Sequence, residues 1–299
     1  MMEFPESARA LVELQPRYDF FIGIDSDGCA FDTMEIKHKE CFTPNIIKHW
    51  ELQGVSKYAR EAAEFVNLYS FWRGVNRWPA LIKVFDLLRV RPEVIKRHVA
   101  IPEAPHVRAF MNDENFPQSN AGLQAYMAEY PDPELERALT WSEAVNATIA
   151  DMVYGIPPFP FVRESLEFLF DKADMIVVSQ TPDEALHREW AEHGIDRYVR
   201  EIAGQEKGTK TQHITFAADG KYQPNHMLMI GDAPGDMKAA RGNNALFFPI
   251  NPGHEDESWQ RFFEEGLHKF LNETFEGEYE AGLIAEFEKF MPEVPPWEK

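Results

Sequence analysis

Four short apolar runs constrain this chain more than any other feature: Phe20 to Ile24, Met175 to Val178, Met227 to Ile230 and Ala245 to Phe248. Each is apolar at nearly every position and stops abruptly at polar, small or acidic residues. Runs of this length without alternation suit strands buried on both faces of a parallel sheet. In such sheets chemistry collects beyond the carboxyl ends of the strands. Between the runs the pattern turns helical, with Val162, Leu166, Leu169 and Phe170 on one face of the stretch from 162 to 170. After the second run, Thr181 is expected to cap a helix, with Pro182 at its first position and acidic Asp183 and Glu184 in its first turn. The expected fold class is α/β with parallel strands.

The regularity fails between residues 34 and 155, an interval of 122 residues that is too long for a loop. It contains helical patterns at Glu61 to Leu68, Leu81 to Leu88 and Glu134 to Thr148, and a proline-rich middle. It reads as a mostly helical domain inserted into the α/β core, which comprises residues 1–33 and 156–299. The exit, Gly155-Ile156-Pro157-Pro158-Phe159-Pro160, cannot continue a helix and reads as a linker. From Pro252 to the end there are 13 acids against 4 Lys and Arg, so residues 253–299 are read as an acidic C-terminal extension, a surface helix pair finishing the core.

Charge narrows the partners. With 30 Lys and Arg against 50 Asp and Glu, the formal net charge is −20, which repels phosphate backbones and anionic lipid and argues against nucleic-acid and membrane-surface binding. An anionic ligand would need a cation at its site. The two cysteines, Cys29 and Cys41, make neither a disulfide framework nor a common zinc spacing, and a reducing compartment is expected. No window approaches 18 consecutive apolar residues, and the first 20 residues lack the apolar stretch of a signal peptide. The location expected is cytoplasmic. Nothing in the pattern speaks to oligomeric state.

Four segments can carry chemistry. Asp25 and Asp27 leave the first run one residue apart, followed by Gly28, which permits a tight turn. Paired acids on such a rim suit a divalent cation, or a nucleophile beside an acid/base group, although an isolated Asp-x-Asp also suits a solvated turn. Ser179 follows the second run, and its hydroxyl with nearby backbone N–H groups makes an anion cradle. The loop from Gly204 to Ile214 offers Lys207 and Lys210; Lys210 is taken as the candidate because it lies nearer the expected helix start. The third run ends in Gly231-Asp232, with Asp236 four residues later. Each piece has a bland alternative, but their occurrence together in one chain points to one shared site.

In this arrangement, Asp25-x-Asp27-Gly28-x-x-x-Asp32-Thr33, Ser179, a downstream Lys and Gly231-Asp232-x-x-x-Asp236 resemble the four motifs of the haloacid dehalogenase (HAD) superfamily. Within it the chain resembles the C1-capped, phosphoglycolate phosphatase-like hydrolases, because the 34–155 interval falls where a C1 cap is inserted. The resemblance implies a Rossmann-like core with a helical C1 cap, an aspartyl-phosphate mechanism and Mg²⁺. Cys29 departs from the family's usual Thr after the Gly and is expected to pack, without a catalytic role. Asp27 is the acid/base that phosphatases and phosphomutases of the superfamily use and that its dehalogenases typically lack.

The implied enzyme is a phosphoric monoester hydrolase acting on a small phosphorylated metabolite; a phosphomutase, or a non-catalytic phospho-ligand-binding or regulatory protein, would use the same motifs. Asp25 would attack phosphorus while Asp27 protonates the leaving oxygen and then activates water. With Asp27 protonated, Asp25, Asp232 and Asp236 bring about −3, which Mg²⁺ and Lys210 would neutralise. The resemblance gives the metal to the Asp25 carboxylate, the Asp27 backbone carbonyl and Asp232, with Asp236 in support, and the phosphoryl oxygens to Ser179 and backbone N–H groups. In the insert, Arg73 and Arg77 of the Phe71 to Trp78 patch would share a face if that stretch is helical. They could then meet an anionic substrate, or be surface ion pairs beside tryptophans of the insert's core.

Overall fold

The computed structural model describes residues 4–298. The chain divides into two compact units. One takes in the chain through Met34 and Gly155–Met291, and the other Glu35–Tyr154 together with the residues from Pro292 onward.

The first unit is built on five strands: β1 (Phe20–Ile24), β2 (Ala173–Val178), β3 (Glu201–Ala203), β4 (Met227–Gly231) and β5 (Leu246–Pro249). Every pairing is parallel and the order is β3-β2-β1-β4-β5. The four apolar runs are β1, β2, β4 and β5; β3 was not expected, since it has only three residues and begins with a charge. The fold is α/β and doubly wound. From β1 the chain moves outward through β2 and β3, then returns to β1's other side for β4 and β5. The switch point lies between β1 and β4, the place beyond whose strand ends sheets of this kind bind ligands.

Alternation sends Phe21, Ile176, Val178, Met229 and Phe247 to one face of the sheet, where Ile214, Phe216, Ala239 and Ala240 cover them. These come from the helices Lys210–Ala218 and Pro234–Gly242. Ile22, Ile24, Met175, Val177, Leu228, Ile230 and Phe248 face the other way, against Val162, Leu166, Leu186, Trp190 and Trp259. Both faces are dry, as the unbroken apolar runs require. The edge strand β5 is closed by the helix Glu278–Phe290, whose Glu280 accepts the Phe247 N–H at 2.8 Å and pairs with Arg241 at 3.0 Å.

The tail's helices Glu255–Arg261, Leu267–Leu271 and Glu278–Phe290 cluster with the α/β unit. The tail's last residues differ from the expectation that all of 253–299 extends the core. From Pro292 they cluster with the helical unit, where the Trp297 ring packs on Phe65 (centroids 5.7 Å apart) and lies 4.3 Å from the Arg91 guanidinium.

The second unit contains no strand among its described residues. Its helices include Ser56–Asn67, Arg77–Val90 and Pro133–Met152, packed around Trp78, Phe85, Phe110 and Trp141. The Phe71 to Trp78 patch is not one helix, which corrects the shared face expected for Arg73 and Arg77. Arg73 lies in a turn closed by its N–H on the Ser70 carbonyl (2.9 Å), and the next helix starts only at Arg77, capped by the Asn76 side chain. Arg73 is buried and donates to the Leu68 carbonyl; Arg77 donates to Ser142 and Asn146. No helix among the described residues is long and apolar enough to cross a membrane. Cys29 and Cys41 are free and buried, and Cys29 packs against the Ile230 carbonyl as a buried thiol.

Candidate active site

Register places the acids. Ile24 pairs with Ile230, and the Asp25 N–H continues the ladder to the Ile230 carbonyl at 3.0 Å, so Asp25 and Asp232 leave neighbouring strands side by side at the switch point. Asp236 arrives from the first turn of the helix Pro234–Gly242, where its Oδ2 accepts the Ala233 N–H at 3.1 Å. It can reach back because residue 231 is glycine: a Cβ there would stand 2.4 Å from the Asp236 Cβ. Opposite them the helix Lys210–Ala218 begins with a capping box of Thr209 and Gln212, which holds Lys210 at the rim.

The side chains converge. Lys210 Nζ lies 2.8 Å from Asp25 Oδ2 and 2.6 Å from Asp236 Oδ1. Asp25, Asp232 and Asp236 are buried, with one ligand oxygen from each inside 4.8 Å of the others. Like charges at that range repel by about 3.5 kcal/mol or more per pair at an effective dielectric of about 20. Burial pushes the Asp25 carboxyl well above the usual carboxylate range; Lys210 pulls against it, and Asp236 and Asp232 add to the push. Asp236 is raised by burial as well, with Lys210 opposing. For Lys210, burial works against the charge, but Asp236, Asp25 and Asp232 outweigh it and hold the ammonium above its ordinary range. With all four groups ionised the cluster carries −2. Three hard oxygen donors with that surplus form a donor set suited to a small divalent cation such as Mg²⁺.

Lys207 goes elsewhere. It ion-pairs with Asp183 and Glu201 and donates to the Ile202 carbonyl at 2.9 Å, so the loop's two cations do separate work. Ser179 is buried at the end of β2, its N–H on the Ala203 carbonyl and its Oγ accepting the Thr181 N–H at 3.2 Å. The Asp27 carboxylate is not part of the three-acid cluster. Asp27 immediately precedes Gly28, whose positive φ (74°) turns the chain, and its two carboxylate oxygens accept from Thr33 Oγ1 at 2.5 Å and Thr181 Oγ1 at 2.6 Å.

That contact corrects the cap expected at Thr181. The helix is Asp183–Glu192, its cap position is Pro182, and no side chain caps it. A hydroxyl that reaches a carboxylate makes a charge-assisted hydrogen bond, stronger than one to a backbone N–H. Sequence reasoning also missed the support behind Asp25. Ser26 Oγ donates to Glu189 and accepts the Trp190 indole N–H, each at 3.0 Å, which anchors the Asp25–Asp27 segment to the helix Asp183–Glu192. Only a hydroxyl between two acids hinted at it.

No family model and no curated protein matches the chain. Among solved structures it is similar to a haloacid dehalogenase-like family hydrolase from Xanthomonas campestris, at 9% identity over 88% of this chain and 97% of that one, with a TM-score of 0.46. It is also similar to a haloacid dehalogenase-like family protein from Streptococcus pneumoniae (17% identity, 90% and 98% covered, TM-score 0.41). A third is a HAD-superfamily hydrolase of subfamily IA from Geobacter sulfurreducens (14% identity, 79% and 89% covered, TM-score 0.40).

Proposed function

We propose that this protein is a Mg²⁺-dependent phosphatase that hydrolyses a small phosphorylated metabolite through an aspartyl-phosphate on Asp25. The observation that carries the reading is the Lys210 ammonium held between Asp25 and Asp236 inside a buried set of three carboxylates. A lysine at that point counters charge on a nucleophile and on an incoming phosphoryl group, in a dry site where electrostatics count most. Asp25, Asp232 and Asp236 would hold the metal. Bound there, Mg²⁺ neutralises the surplus charge and polarises a phosphoryl oxygen.

The residues then divide the work. The Asp25 carboxylate forms a bond to phosphorus as the bond to the leaving oxygen breaks, and that oxygen takes a proton from Asp27. In the second half Asp27 removes a proton from water as the water oxygen attacks phosphorus, breaking the bond to Asp25 and releasing phosphate. Ser179 retains its O–H to donate to a phosphoryl oxygen. Both threonine hydroxyls can donate to Asp27 when it is ionised, and when it carries its single proton the oxygen without the proton keeps accepting from its threonine, so the acid is held through both halves. The inserted helical unit takes the part of a C1 cap, and the two free cysteines suit a reducing, cytoplasmic setting.

Phosphate release from p-nitrophenyl phosphate, measured with and without Mg²⁺ for the wild type and Asp25→Asn, tests the reading. Turnover is expected to need the metal and to fall by roughly 10³-fold or more in the variant. An Asp25→Asn protein that still turns over, or a wild type indifferent to Mg²⁺, contradicts it.

A further inference from the structure

We infer that Thr181 is a positioning residue for the acid/base Asp27, and that it sets how well the enzyme expels a basic leaving group. This deepens the reading above and rests on Asp27's part in it. Thr181 Oγ1 lies 2.6 Å from Asp27 Oδ2, while Thr33 holds the other carboxylate oxygen. Thr33 belongs to the same short segment as Asp27, and Thr181 comes from the end of another strand, 154 residues away. The pair therefore ties the acid to the β2 end of the site, where Ser179 stands.

Thr181 is built to stay where it is. It precedes Pro182, which confines its backbone to extended conformations, and its β-branched side chain has few rotamers. Its N–H is held by Ser179 Oγ at 3.2 Å and its carbonyl by the Gln205 N–H at 3.1 Å. Below this loop the Asp183 carboxylate accepts the Gly204 N–H at 2.6 Å and pairs with the buried Lys207. The hydroxyl thus reaches Asp27 from a braced frame. It holds Asp27 by one oxygen and leaves the proton on the acid directed by geometry instead of by chance rotation of the side chain. A capping role at the helix start would explain none of this, since no cap bond forms there.

Positioning of a general acid has a signature that loss of fold lacks. The acid matters little when the leaving oxygen is a weak base and much when it is a strong one. The experiment compares wild type, Thr181→Val and Thr181→Ser in saturating Mg²⁺ on p-nitrophenyl phosphate and on phenyl phosphate, whose leaving oxygen is more basic. Thr181→Val is expected to lose about tenfold more kcat/KM, which reports the leaving-group-dependent first half, on phenyl phosphate than on p-nitrophenyl phosphate. Thr181→Ser, which keeps the hydroxyl, is expected to restore most of the difference. Equal losses on both substrates, no loss, or a Thr181→Ser protein as impaired as Thr181→Val would overturn the inference while leaving the phosphatase reading intact. A wild type without Asp25-dependent turnover would overturn both.

Discussion

Lys207 and Lys210 stand three residues apart, and the fold gives them different tasks. One bridges Asp25 and Asp236; the other is buried against Asp183 and Glu201. Lys210→Met is therefore expected to cut kcat by about 100-fold or more, as loss of one preorganised donor does. Lys207→Met is expected to keep activity per folded molecule within several-fold. It should lower unfolding stability by about 3 kcal/mol in urea titrations, because it strands two carboxylates around a vacated partner. His213, in the helix Lys210–Ala218, makes a pH prediction. His213 is fully buried, and burial pushes its imidazole down to about 4, with Lys210 and Lys207 acting the same way and Asp183 against. Between pH 6.5 and about 4 the unfolded chain takes the proton and the folded one does not, so stability falls as pH drops through that window. The loss approaches about 3 kcal/mol at its lower end. Urea midpoints of wild type and His213→Leu should diverge from pH 7 to pH 4, with wild type losing more.

At the scale of elements, the strongest tie outside the site is Asp174 in β2. It is fully buried and accepts from the Arg17 N–H (2.8 Å), the Tyr18 N–H (3.2 Å) and Tyr222 Oη (2.9 Å), and it pairs with Arg200. One carboxylate thus joins the approach to β1, the start of β2, the approach to β3 and the segment after Lys210–Ala218. Asp174→Ala takes the carboxylate partner from the half-buried Arg200 guanidinium and leaves the Arg17 N–H, the Tyr18 N–H and the Tyr222 hydroxyl without this acceptor. It is expected to cost about 3–5 kcal/mol in chemical denaturation, with the Mg²⁺ requirement of the remaining folded enzyme unchanged. The elements themselves were unequally legible. β1, β2, β4 and β5 could be read because strands dry on both faces must be apolar throughout. β3 could not, because three residues at a sheet edge, one of them Glu201, carry no such pattern. Thr181 was read as a cap for a similar reason. Thr-Pro-Asp-Glu is good local capping chemistry, and only the distant Asp27 offers the hydroxyl a better acceptor.

At the scale of the molecule, each of the two units has its own hydrophobic core, and the chain's last residues belong to the helical one. Trp297 packs on Phe65 and Arg91, and the Phe71 N–H reaches the Pro292 carbonyl at 3.3 Å. Removing residues 292–299 is expected to raise amide exchange in Ser56–Asn67 and around Arg91, with β1, β2 and β4 unaffected; hydrogen exchange followed by mass spectrometry checks it.

The sequence by itself indicated the α/β class, the interruption of that pattern over the helical insert and the candidate residues Asp25, Asp27, Ser179, Asp232 and Asp236, with Lys207 and Lys210 as the two lysines to choose between. These are properties of local pattern: apolar runs that must be buried, and polar residues placed where the runs end. Which lysine meets the carboxylates, which hydroxyls hold Asp27 and where residues 292–298 dock were decided only by tertiary structure. Each depends on a partner far along the chain, and a side chain with several adequate local partners takes the distant one when that contact carries more charge or buries more surface.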